Sequence, residues 1–163
     1  MFWAAFSFND RSELRPLDGD PESRHGGITG RIILTTLQEE MPKICGPGSI
    51  FAQDNAPTHT CILVQDWLIP WAEEHGFELV DWPPYSPDLN PIENLWKVLK
   101  QRICDRYPDL ADLPKNQDSL DRLIKAATEL WNGLEDDMLG KLISGMQKRM
   151  RAVVEANGWY TKY

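Results

Sequence analysis

Apolar and polar positions change period several times along the chain. "MFWAAFSF" and "SELRPLDG" flank Asn9-Asp10-Arg11 and predict a β-hairpin. "GDPESRHGG", residues 19–27, is a polar loop. From Ile28 to about Ile44, the positions Ile33, Leu34, Leu37 and Met41 fall on one helix face, and Gly46-Pro47-Gly48 marks its end. Residues 49–53 predict a strand, 58–75 a helix that Pro70 should kink or split, and "FELVDW" (77–82) a second strand. The prolines of "PPYSPDLNP" (83–91) exclude regular structure there. Ile92, Leu95, Trp96, Leu99 and Ile103 then define one face of a helix. Leu120 to Trp131 marks another, and Met138, Leu139, Leu142, Ile143, Met146 and Met150 a last one. A hairpin, then strands alternating with helices, then a helical tail predicts a mixed α/β sheet.

At 163 residues the chain suits a single domain with an ordinary core. No apolar run approaches the ~18 residues of a membrane span, and the start lacks the basic and apolar regions of a signal peptide. Cys45, Cys61 and Cys104 show no CxxC spacing, so reduced, part-buried thiols are expected. The net charge of −8 argues against a free-standing nucleic-acid-binding module.

The chemistry concentrates at two strand ends. Strands 49–53 and 77–82 are joined by a helix, so they should run parallel, with their carboxyl ends at one sheet edge. Ligand sites of α/β folds form there. Asp54 and Asn55 follow the first strand, in "FAQDNAPTHT"; the Pro-rich loop leaves the second and delivers Glu93 to a first helical turn. Two carboxylates at one edge suit a hard divalent cation such as Mg²⁺. Plainer readings stand beside this one. Asp54 or Asn55 could serve only a local turn, Glu93 only the helix N-terminus, and His59 only a helix start. Histidines without paired cysteines suggest no zinc site, and no motif supports a Ser-His-Asp triad. Trp67, Trp71, Trp82 and Trp96 read as core packing.

"QDNAPTH" followed by "DWPPYSPDLNPIENLWKVLK" resembles the Tc/mariner group of DDE transposases. "WAAFSF" resembles the strand ahead of these blocks, and "MRAVVEANGWYTKY" the family's C-terminal end. The resemblance covers nearly the whole chain. It implies an α/β, ribonuclease H-like fold and metal-dependent DNA cleavage and strand transfer, with Mg²⁺ or Mn²⁺ held by three acids. Asp54 falls at the second acid and Glu93 at the third. Asn55, His59, Asp88 and Asn90 belong to the matching blocks, as supports of the acids or formers of the loops.

Two departures qualify this. The interval from Asp54 to Glu93 is four residues longer than is common in the group, an insertion expected near Leu68–Trp71 as a kink or bulge. The family's first acid lies on a strand ahead of the "WAAFSF" equivalent, where this chain starts. Asp10, Asp18 and Asp20 are not placed to replace it. Residues 1–163 thus read as a single partial catalytic domain, N-terminally truncated, with activity lost or reduced. The alternative is a non-enzymatic module that binds nucleic acid or assembles with an intact transposase.

Glu93, Lys97 and Lys100 span about 60° of one helix face. The lysines either hold DNA phosphates near the metal or make ordinary i,i+4-type surface pairs. Lys97, Lys100, Arg102 and Arg106 against Asp105 make this helix locally basic. DNA is the expected partner, with self-association or an intact transposase beside it, no membrane and no small-molecule substrate. The expected compartment is the nucleus in a eukaryote, and otherwise the cell interior. A missing first strand would leave a gap, or let residues 2–8 pair directly with 49–53.

Overall fold

The structure, a computed structural model, describes residues 1–159 and 161. Tyr160, Lys162 and Tyr163, at the end of the "MRAVVEANGWYTKY" match, lie outside the described residues. The chain forms two compact units, one of Met1–Trp3 with Arg15–Asn90, the other of Ala4–Leu14 with Pro91 onward.

In the first unit, β1 (Phe2–Trp3) pairs antiparallel with β2 (Arg15–Pro16), as the hairpin pattern predicts. The polar loop after β2 is organised by Asp20, whose buried carboxylate accepts from Thr29 Oγ1 at 2.5 Å, Arg31 Nε at 3.0 Å and the Glu22 N–H at 3.0 Å. Helix α1 (Gly30–Ile44) follows and buries Ile33, Leu37 and Met41 as one stripe. Glu40 is fully buried on the same helix. Its Oε1 meets Lys43 Nζ at 2.9 Å and Arg15 Nε at 3.6 Å, while Oε2 has no hydrogen-bond partner among the described residues.

The expected helix over 58–75 is two helices, α2 (Pro57–Thr60) and α3 (Ile62–His75). The break falls at Cys61, which is extended (φ −66°, ψ 150°), and not at Pro70. Pro70 and Ile69 are exposed, so the carbonyl that proline frees can bond to water and the helix runs through. Residues 68–71, where a kink or bulge was expected, therefore lie in continuous helix. Val64, Leu68 and Ala72 pack inward, and Gly76, left-handed at φ 69°, ends α3 by donating to Ala72 O.

Strands β3 (Ile50–Phe51) and β4 (Glu78–Leu79) are parallel, as predicted, with Glu78 N donating to Ser49 O and Val80 N to Phe51 O, both at 2.9 Å. Each of these strands is two residues long, shorter than the patterns suggest. Among the described residues, β1–β2 and β3–β4 are separate sheets, and residues 2–8 do not pair with 49–53. Trp67 and Trp71 stack at 5.3 Å against the core of Leu37, Met41, Leu68 and Phe77. The cysteines are free. Burial raises the Cys45 thiol to about 11, whereas Cys104 is exposed, contrary to expectation.

The second unit begins with the hairpin tip, where Ser7 N donates to Asp10 O at 2.7 Å and Phe6 bridges Arg11. Helix α4 (Ile92–Arg106) buries Leu95 and Leu99. A 3₁₀ turn (Pro108–Asp112) leads to α5 (Gln117–Asn132), which Asn116 caps by accepting from Ser119 N at 2.9 Å. Trp131 is fully buried, stacks on Trp96 at 5.5 Å and donates from Nε1 to Ser12 O at 2.9 Å. Two arginines neutralise the carbonyl end of α5. Arg11 donates to Leu134 O at 2.6 Å, and Arg102 to Gly133 O at 3.3 Å and Glu135 at 2.7 Å. The single last helix of the sequence pattern is in fact α6 (Asp136–Ser144) and α7 (Met146–Glu155). Gly145 joins them, donating to Lys141 O and accepting from Arg149 N.

Candidate functional site

The segment after β3 forms the local turn that the plainer reading of its sequence describes. Asp54 Oδ1 accepts from the Ala56 N–H at 3.1 Å, a local turn that sets Pro57 at the first position of α2. The same oxygen lies 2.7 Å from Nδ1 of His59. An ionised carboxylate only accepts, so Nδ1 carries the proton and donates. The Asp54 side chain is 49% exposed and that of His59 19%. His59 is anchored by its own backbone, since its carbonyl accepts from Gln65 Nε2 at 2.7 Å and its N–H donates to Ala56 O at 2.8 Å.

Asn55 ties the two strand ends together. Its Nδ2 donates to Trp82 O at 2.6 Å, joining the segment after β3 to the one after β4. These are the carboxyl ends of a parallel pair, where an α/β ligand site belongs. The Pro-rich loop then folds as successive turns, with Leu89 N donating to Ser86 O and Asn90 N to Pro87 O. Leu89 is its buried anchor, and Asp88 and Asn90 lie half-buried in it.

Glu93 belongs to the other unit, in the exposed first turn of α4. Sequence reasoning missed the residue that braces this turn. Arg149 is 5% exposed and donates from Nη2 to Asn94 Oδ1 at 2.7 Å, and nothing in the local pattern around position 149 points to Asn94. Lys97 and Lys100 are exposed beside Glu93, opposite the buried Leu95 and Leu99, as the periodicity predicts. The surface pairing considered for them is not formed, since no ion pair of Glu93, Lys97 or Lys100 occurs among the described residues. The other two cations of this basic stretch are engaged, Arg102 with Glu135 and Arg106 with Glu129 at 3.0 Å.

The acids near the start of the chain have other work. Asp10 Oδ1 accepts from Arg11 N at 2.8 Å, and Asp20 holds its loop to α1. Among the described residues no three His, Cys, Asp or Glu side chains group as a metal cage. Asp54 does fit a hard cation as a single ligand. Both hydrogen bonds converge on Oδ1, which leaves Oδ2 for an outside ligand, and carboxylate oxygen suits Mg²⁺ or Mn²⁺.

The family model described as DDE superfamily endonuclease matches residues 23–114, more than half of the chain. The chain belongs to this family. It is 32% identical over its whole length to the Tc1 transposase of Caenorhabditis elegans, covering 54% of that protein, and 33% identical over 161 residues to the Tc3 transposase of the same organism, covering 44%. The chain thus spans about half the length of the curated relatives it matches. Among solved structures it is similar to the Mos1 transposase catalytic domain with Raltegravir and Mg, at TM-score 0.62 and 21% identity, over 94% of this chain and 71% of that one. It also resembles the Mos1 mariner paired end complex with Mn, at TM-score 0.60 and 23% identity, over 83% and 38%. The α/β, ribonuclease H-like fold expected from the sequence is that of the Mos1 catalytic domain.

Proposed function

We propose that this chain is a DNA-processing segment of a Tc/mariner-type transposase in which Asp54 and Glu93 are the metal-binding acids. The observation that carries the reading is the Asn55–Trp82 hydrogen bond, which sets Asp54 at the carboxyl end of a parallel strand pair. A divalent cation, when bound, supplies Lewis-acid stabilisation of the attacking and leaving oxygens of a phosphodiester. Asp54 and Glu93 each have carboxylate oxygens suited to such a cation. Asn55, Asp88 and Asn90 hold the loops that carry the acids. Lys97 and Lys100, exposed and without ion-pair partners among the described residues, attract the DNA backbone beside Glu93. The Mos1 structures with Mg and Mn support a divalent metal here by similarity.

Asp54 and Glu93 alone supply too few bridging and terminal ligands for a paired-metal reaction. Residues 1–163 by themselves therefore cleave DNA weakly or not at all, and bind DNA or assemble with further copies or an intact transposase. The exposed lysines favour this second role, because backbone binding needs no metal. The test is incubation with supercoiled plasmid and Mg²⁺ or Mn²⁺, with DNA binding followed in parallel. Binding without nicking is expected. Nicking that disappears in Asp54→Asn and Glu93→Gln would overturn the inactivity, and absence of DNA binding would overturn the DNA-processing role.

A further inference from the structure

We propose that His59 is a positioning residue for Asp54, fixing the carboxylate so that Oδ1 is occupied and Oδ2 is the oxygen offered to the cation. This deepens the reading above and rests on Asp54 being a metal ligand.

The turn itself does not need His59. The Ala56 N–H is already satisfied by Asp54 Oδ1, and α2 starts on Pro57, which has no N–H to satisfy. Nor does the carboxylate need His59 for solvation, because a side chain 49% exposed takes hydrogen bonds from water. What the imidazole adds is direction. A lone carboxylate on a turn rotates about its Cβ–Cγ bond and presents either oxygen. Two fixed donors on Oδ1, one from the backbone and one from the ring at 2.7 Å, remove that freedom.

The ring can impose this because it is itself held. Its backbone is pinned on both sides, by Ala56 O and by Gln65 Nε2, and its side chain is 19% exposed. Hydrogen bonds to ligating carboxylates orient them in this way, and their loss costs about 10–100-fold in metal affinity.

The experiment uses two substitutions of the same branched shape, His59→Asn and His59→Leu, with Asp54→Asn as control. Asn keeps an N–H donor on Cγ, where Nδ1 sits; Leu has none. Mn²⁺ binding to each full chain is measured from the EPR signal of free Mn²⁺, under conditions where near-UV circular dichroism shows all variants folded. The expected result is loss of the site in Asp54→Asn, affinity about tenfold weaker in His59→Leu, and recovery of most of it in His59→Asn. If Asp54→Asn loses the site while His59→Leu binds like the parent, His59 does not position the ligand and the metal reading stands alone. Equal weakening in Asn and Leu would also overturn the role, since the donor would not be what matters. If Asp54→Asn binds as tightly as the parent, the metal reading fails and this inference with it.

Discussion

Nδ2 of Asn55 donates to the carbonyl of Trp82 across 2.6 Å, between residues 27 positions apart. Trp82 is buried, so this bond fastens an otherwise irregular segment to the packed interior. Asn55→Ala should lower stability by about 1 kcal/mol, the net worth of one such bond. Asn55→Asp should cost at least as much at neutral pH, because it sets an acceptor against an acceptor. Urea unfolding checks both, and unchanged midpoints in the two variants would mean the tie contributes nothing.

The approach of α1 to the α2–α3 junction gives a second expectation. A Cβ on Gly30 would overlap Sγ of Cys61, which bonds at 3.5 Å to Thr58 O. Gly30→Ala should therefore destabilise by about 1–3 kcal/mol despite its better helix propensity, as overpacking does. Adding Cys61→Ala should restore most of the loss. A stabilised single variant would show that the junction yields easily.

Acid should loosen the loop that Asp20 organises. The hydrogen bond from Thr29 holds the Asp20 carboxyl below its ordinary 3.8, with the Glu22 N–H and Arg31 adding and burial opposing. Between that lowered value and 3.8 the unfolded chain binds a proton that the folded chain does not. Stability from this group is complete above 3.8 and is lost as pH falls through the lowered value. Glu135, held down by Arg102 from its ordinary 4.5, acts in the same sense. Thermal melts from about pH 6 to about pH 2.5 should show Asp20→Asn less stable near neutrality and flatter in acid than the parent, with Glu135 left to give the remaining slope. Parallel curves would remove Asp20 from the account.

Lys97 and Lys100 make a separable claim about DNA. If each neutralises one phosphate, replacing both with Ala should weaken binding and reduce the slope of log K against log salt by about 1.8 on duplex DNA. Unchanged affinity and slope would leave them as surface charge.

The helices of this fold were legible because their signal is local. Leu37 and Met41 in α1, and Leu95 and Leu99 in α4, mark buried faces within a few turns. Where a helix ends proved harder, since Pro70 breaks a pattern only if its freed carbonyl is buried, and at the surface of α3 it is not. Gly145 reads as a tolerated helical residue until the chain is seen to restart as α7. The two strand pairings were visible, but their length and their division into separate sheets were not, because these depend on neighbours far along the chain. Asp54, Asn55 and His59 stood out by type and spacing. Their partners did not, since no local rule links Asn55 to Trp82, or decides that one oxygen of Asp54 takes both the Ala56 N–H and the imidazole. No local pattern marks Arg149 or Glu40 for the interior, and only tertiary packing buries them.

The proposal that Asp54 and Glu93 are metal-binding acids is tested most directly by Mn²⁺ binding to the parent chain, Asp54→Asn and Glu93→Gln. Each single change should weaken Mn²⁺ binding at least about tenfold relative to the parent. Parent-like binding in either single variant would contradict it.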